Sequence, residues 1–135
     1  GGRDGNGVPA MTDGNLREAF LSLRGEFLEI THGRIAVIER NWPEVFSPSG
    51  ENDTGETLEL IKREAHTIAG SSGTYGYATV SRAAKNLEVF CAALMDEGTD
   101  GMDDARQAEF SATVTSLLEE SSRMFADPEI GTMPF

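Results

Sequence analysis

The chain is short of cysteine, tryptophan and cations. In 135 residues it carries one Cys, one Trp, two Tyr and two His, and 11 Lys and Arg stand against 23 Asp and Glu. Each scarcity excludes something. A lone Cys91 cannot close an internal disulfide and rules out zinc sites built from CxxC pairs, which points to a reducing, cytoplasmic setting. A net charge of -12 leaves no basic footprint for nucleic acid or for an anionic membrane, so neither is expected as a partner. No apolar run reaches the roughly 18 residues of a membrane-spanning helix, and no secretory signal is visible. There is no GxxxxGK[ST] loop and no glycine-rich lid, so the chain is not expected to bind ATP or act as a kinase.

What is present is helical periodicity. Leu16, Phe20, Leu23, Phe27 and Ile30 recur at spacings of four and three, as one apolar stripe would. Thr31-His32-Gly33 interrupts the stripe, Ile35, Ile38 and Trp42 resume it, and Pro43 should end it. A polar loop over Ser47–Gly55 follows. A helix through Leu58, Ile61, Ala65, Ile68, Ser72 and Tyr75 comes next. Another runs through Val80, Ala84, Leu87, Cys91 and Leu94 to a stop near Gly98. The last opens at Asp103-Asp104, where negative charge favours a helix N-terminus, and carries Phe110, Val114, Leu117, Ser121 and Met124. The expected fold is all-α: an antiparallel four-helix bundle with an additional or broken N-terminal helix. Residues 1–12 read as a flexible leader or cloning remnant, 13–126 as the bundle and 127–135 as a surface tail. Met11 offers a native start, but the segment equally fits a linker from a longer chain.

The most informative stretch is Ala65-His66-Thr67-Ile68-Ala69-Gly70-Ser71-Ser72-Gly73-Thr74-Tyr75-Gly76. Glycine in a helix interior costs about 1 kcal/mol relative to alanine, and Gly70 and Gly73 both follow a histidine that points off the core. At roughly 100° per residue the apolar stripe centres about 125° from His66. Lys62 and Arg63 share its face one turn before, and Ala69, Gly70 and Gly73 follow, leaving an open notch around the ring. A nucleophile that must meet a second protein needs such access. A neutral imidazole is a nucleophile, and free imidazole titrates near pH 6.5.

The run His66-Thr67-Ile68-Ala69-Gly70-Ser71-Ser72, with Gly76 as a structural turn, resembles the signature of histidine phosphotransfer (HPt) domains of phosphorelays. The next helix, Val80-Ser81-Arg82-Ala83-Ala84-Lys85-Asn86-Leu87-Glu88, resembles the one that packs beside the active helix in that family. The resemblance implies that His66 is the phosphoacceptor in a relay protein with no cofactor of its own. It also implies a response-regulator receiver domain or a sensor histidine kinase as partner, with Mg²⁺ in the receiver, and a monomeric carrier. Many members carry a basic residue three positions after the histidine, where this chain has Ala69. Lys62, Arg63, Arg82 or Lys85, or the partner, would then supply the charge, and Glu88 or Asn86 would orient the imidazole. The alternative is an HPt-like adaptor or scaffold that binds signalling partners without being phosphorylated.

Other residues have plainer readings. Glu29 and His32 have the Glu-x-x-His spacing of di-metal bundles, but Arg63 precedes His66 by three, so no second copy exists and no metal is expected. His32 reads as an exposed junction residue and Cys91 as a small core residue. Tyr75 and Tyr77 read as packing anchors. The docking notch is expected at Ala69, Gly70 and Gly73, with Leu60, Val89 and Leu21 as exposed apolar contacts beside it.

Overall fold

The computed structural model describes residues 13–46, 53–99 and 102–127; the expected leader, the Ser47–Asn52 part of the loop and the tail beyond Asp127 lie outside them. Four helices follow in chain order: α1 (Asp13–Asn41), α2 (Thr54–Thr74), α3 (Ala78–Glu97) and α4 (Asp104–Ala126), with a 3₁₀ turn at Trp42–Val45 after α1. No strand occurs among the described residues.

The ends of the helices follow from local chemistry. Pro43 sits at the start of the 3₁₀ turn; it has no N–H to continue the α-helical ladder and its ring crowds the carbonyl four residues back, so α1 stops at Asn41 and the chain tightens into the turn. The Asn41 amide donates back to the Val37 carbonyl at 2.7 Å. Asp53 caps α2 by accepting from the Gly55 N–H at 2.7 Å, so Thr54 and Gly55 belong to the helix and not to the preceding loop. Asp103 caps α4 in the same way, accepting from the Arg106 N–H at 2.8 Å. Gly76 and Gly98 have φ of 85° and 83°. Gly76, just past the end of α2, turns the following amide back onto the helix, whereas Gly98, with ψ of 163°, leads the chain away from α3 in a conformation open mainly to glycine. The Tyr77 N–H donates to the Ser72 carbonyl at 2.8 Å, and the Gly98 N–H to the Leu94 carbonyl at 2.8 Å.

Contacts along each pair of neighbours run in opposite directions, as in an up-down bundle. Arg34 meets Glu64 and Phe27 meets Tyr75 between α1 and the α2 end. Phe90 meets Phe110 and Glu97 meets Arg106 between α3 and α4. Arg24 donates to the Asp127 carbonyl at 3.2 Å while His32 lies against Phe125, closing α4 onto α1. The core is formed by Ile38, Leu58, Ile61, Ile68, Leu87, Leu94, Phe110, Val114 and Leu117, all fully buried. The stripes expected for α2, α3 and α4 are the buried faces of those helices. Cys91 belongs to the same core, and burial pushes its thiol up to about 12 against the opposing charge of Lys62.

The first helix departs from expectation twice. It runs unbroken through Thr31-His32-Gly33. Thr31, Ile35 and Ile38 are buried there, and burying an isoleucine contributes about 1.5–3 kcal/mol, more than the roughly 1 kcal/mol that one glycine removes. Its stripe also sits on a different face: Leu23 is 52% and Ile30 59% exposed, while Phe27, Thr31, Ile35 and Ile38 face the bundle. His32 is exposed but lies within a helix, not at a junction, with its ring 5.1 Å from that of Phe125. A Cβ at Gly33 would meet nothing within 4 Å. Gly33→Ala is therefore expected to stabilise the fold by about 0.5–1 kcal/mol, raising Tm by several degrees. A lower Tm would contradict an unbroken helix.

Candidate functional site

The site lies on the seam between α2 and α3. In α2 the buried residues Ile61, Ala65, Ile68 and Ser72 fix the helix phase and turn His66 outward, with 71% of its side chain exposed. In α3 the buried residues Ala84, Leu87 and Cys91 leave the next position, Glu88, leaning across toward α2. Its carboxylate, 14% exposed, meets the ring: His66 Nδ1 lies 2.8 Å from Glu88 Oε2. Lys85 Nζ, one turn earlier on α3, donates to Glu88 Oε1 at 3.1 Å. One carboxylate thus joins an imidazole on one oxygen and an ammonium on the other.

Burial alone would raise the Glu88 carboxyl, but hydrogen bonds from Lys85 and His66, and their charges, outweigh it and hold the group below its ordinary value. A carboxylate can only accept. The hydrogen between it and the ring therefore belongs to Nδ1, which fixes the tautomer with Nε2 as the free lone pair. Among the described residues nothing hydrogen-bonds Nε2. The ring is held at one nitrogen and open at the other.

The two helices are brought close by small residues. A Cβ at Gly73 would come within 3.3 Å of Ser81 Oγ, so Gly73 serves the approach of α3 as well as the openness of the face. Ser81 Oγ donates to the Ala69 carbonyl at 2.7 Å, tying α3 to α2 one turn past His66. Ser81 is not among the residues expected from the sequence, because its place depends on the register between the two helices, in which 66 pairs with 88 and 73 with 81. Gly70 is different. It is exposed, and a Cβ there would meet nothing within 4 Å, so no packing within this chain requires a glycine.

The remaining candidates are spread around this centre. Ala69 is half-buried against the core, at the edge of the notch and not in the open. Lys62 is half-buried and lies close enough for its charge to act on Cys91. Arg63 is exposed and 3.9 Å from Glu59 on its own helix, directed away from the ring. Arg82 lines a shallow cleft with Gly73, Gly76, Ser81 and Lys85, further toward the turn. Asn86 is exposed and Glu88, not Asn86, reaches the imidazole. Val89 and Leu21 are exposed as expected, whereas Leu60 is half-buried. Tyr75 and Tyr77 are packing anchors: Phe27 stacks on Tyr75 at 4.6 Å, and Arg24 Nε donates to the Tyr77 hydroxyl at 2.9 Å.

Residues 22–123 match the family model of the Hpt domain. No curated protein and no solved structure matches the chain.

Proposed function

The chain belongs to the Hpt domain family, and we propose that it relays a phosphoryl group through His66 between a phosphorylated receiver domain, or a histidine kinase, and a downstream receiver. The observation that carries this reading is the ring held at Nδ1 by Glu88, with Nε2 open to solvent. A phosphoryl group in flight is loosely bonded, so the carrier has little covalent chemistry to perform and contributes mainly position and charge.

The step balances without an added reagent. The Nε2 lone pair forms the N–P bond as the P–O bond to the donor aspartate breaks, and the aspartate leaves with that electron pair as a carboxylate. The Nδ1 proton stays on the ring, which becomes a cationic N-phosphoimidazole. Glu88, ionised and within hydrogen-bond distance, stabilises the positive charge as it develops, and the reverse step returns the ring to neutrality. Mg²⁺ belongs to the partner receiver in this reading, where it would neutralise the phosphoryl oxygens. No helix among the described residues is long and apolar enough to cross a membrane.

Transfer from a panel of phosphorylated receiver domains tests the proposal. The expected product is a stoichiometric label on this chain that is lost in acid and retained in alkali. A chain that binds a receiver yet takes no label from any receiver or kinase would favour the adaptor reading, in which Ala69 marks the loss of phosphoryl support.

A further inference from the structure

The cation that steadies the phosphoryl group comes from α3: we infer that Lys85 is its counter-ion, acting at the level where α2 carries only the methyl of Ala69. The inference rests on the reading of His66 as phosphoacceptor and deepens it. The phosphoryl group itself carries a charge of about -1.5 to -2, on a chain whose net charge is already -12, so a local cation is needed to hold the group in place. Four cations surround the notch, and the geometry separates them.

Arg63 is drawn toward Glu59. Arg82 sits level with Ser72, nearly two turns from the ring by the register that pairs 66 with 88 and 73 with 81. Lys62 is half-buried, and its charge acts on the Cys91 thiol in the core between α2 and α3. Lys85 differs from all three. The same register puts it opposite Ala69, whose side chain is a single methyl and leaves that level of the seam to the lysine. Its ammonium is already bound to the carboxylate that holds the imidazole, and it is 61% exposed, free to turn on its four-carbon stem. A phosphoryl dianion on Nε2 would compete with the single negative charge of Glu88 for the same ammonium. Lys85 then swings from Glu88 Oε1 to a phosphoryl oxygen, and Glu88 keeps the ring proton.

The test needs no partner protein. The full chain is phosphorylated with phosphoramidate, and the phosphohistidine is titrated by ³¹P NMR in the native form, Lys85→Ala, Lys85→Arg and the double variant Lys85→Ala/Ala69→Lys. A neighbouring cation favours the dianion, so Lys85→Ala is expected to raise the phosphoryl pKa by about 0.5 unit and slow labelling about tenfold. Lys85→Arg should keep the native titration. Ala69→Lys should restore it in the Lys85→Ala background, because the charge is returned to the same level from the other helix. A native titration in Lys85→Ala, or no recovery in the double variant, overturns the assignment of Lys85 and leaves the relay reading intact. A native chain that takes no phosphoryl group at His66 overturns both.

Discussion

Replacing His66 by glutamine is expected to abolish phosphoryl acceptance while leaving the bundle folded. Glutamine is close to histidine in size and can still donate to Glu88, but its amide nitrogen has no lone pair with which to attack phosphorus. Loss of a nucleophile removes the step entirely, so the rate should fall by at least about 10³, to background. The ring contributes little to stability, being 71% exposed with one hydrogen bond, and surface changes of this kind stay within about 0.5 kcal/mol. Circular dichroism and Tm should therefore match the native chain. Cys91 is not ready to take over: it is buried with its thiol pushed up to about 12, so thiolate is scarce at neutral pH. Label that persisted on the glutamine variant would mean that the phosphoacceptor lies elsewhere.

Gly70→Trp should separate the ring from its partner without touching the ring's chemistry. The position is exposed one turn beyond His66 and a Cβ there meets nothing within 4 Å, so folding should be retained and helix propensity slightly improved. A receiver must bring its aspartyl phosphate to within about 3–3.5 Å of Nε2, and misplacement by about 1 Å costs on the order of 100-fold. An indole on the approach surface should therefore lower transfer from a receiver by about 100-fold or more. Labelling by phosphoramidate, which needs no protein surface, should change less than threefold on the same reasoning. Gly70→Ala should lie between the two. Equal losses with both donors would show that Gly70 acts on the histidine itself, and unimpaired receiver transfer would refute the notch as a docking surface.

Much of this is legible in the amino-acid sequence. Apolar positions in α2, α3 and α4 recur with helical period because each helix has one side against the core, and Asp103 and Gly98 announce their helix ends by chemistry alone. The first helix was harder for a physical reason. It has 29 residues against 20 to 23 in the others, about 43 Å against roughly 30–35 Å, and Phe20 already reaches Tyr75 beyond the end of α2. Its first turns therefore extend past the bundle, where Leu16 is apolar without being covered. Thr31-His32-Gly33 looked like a break because propensity was weighed without the packing of Ile35 and Ile38 that overrides it.

The outward aim of His66 also followed from its sequence phase. What holds the ring did not, because that depends on the register between two helices. A slip of one turn on α3 would have offered Ala84 or Lys85 in place of Glu88, with no carboxylate to fix the tautomer. The same register brings Ser81 onto the Ala69 carbonyl and places Lys85 opposite Ala69. Neither could be read from one chain of letters.

The central claim is that His66 takes the phosphoryl group on Nε2 while Glu88 keeps the proton on Nδ1. The most direct measurement is a long-range ¹H–¹⁵N spectrum of the chain labelled with ¹⁵N-histidine, recorded before and after phosphorylation by a receiver domain. The account predicts a protonated Nδ1 in both states and coupling to phosphorus at Nε2 of His66. Phosphorus on Nδ1, or on His32, would contradict it.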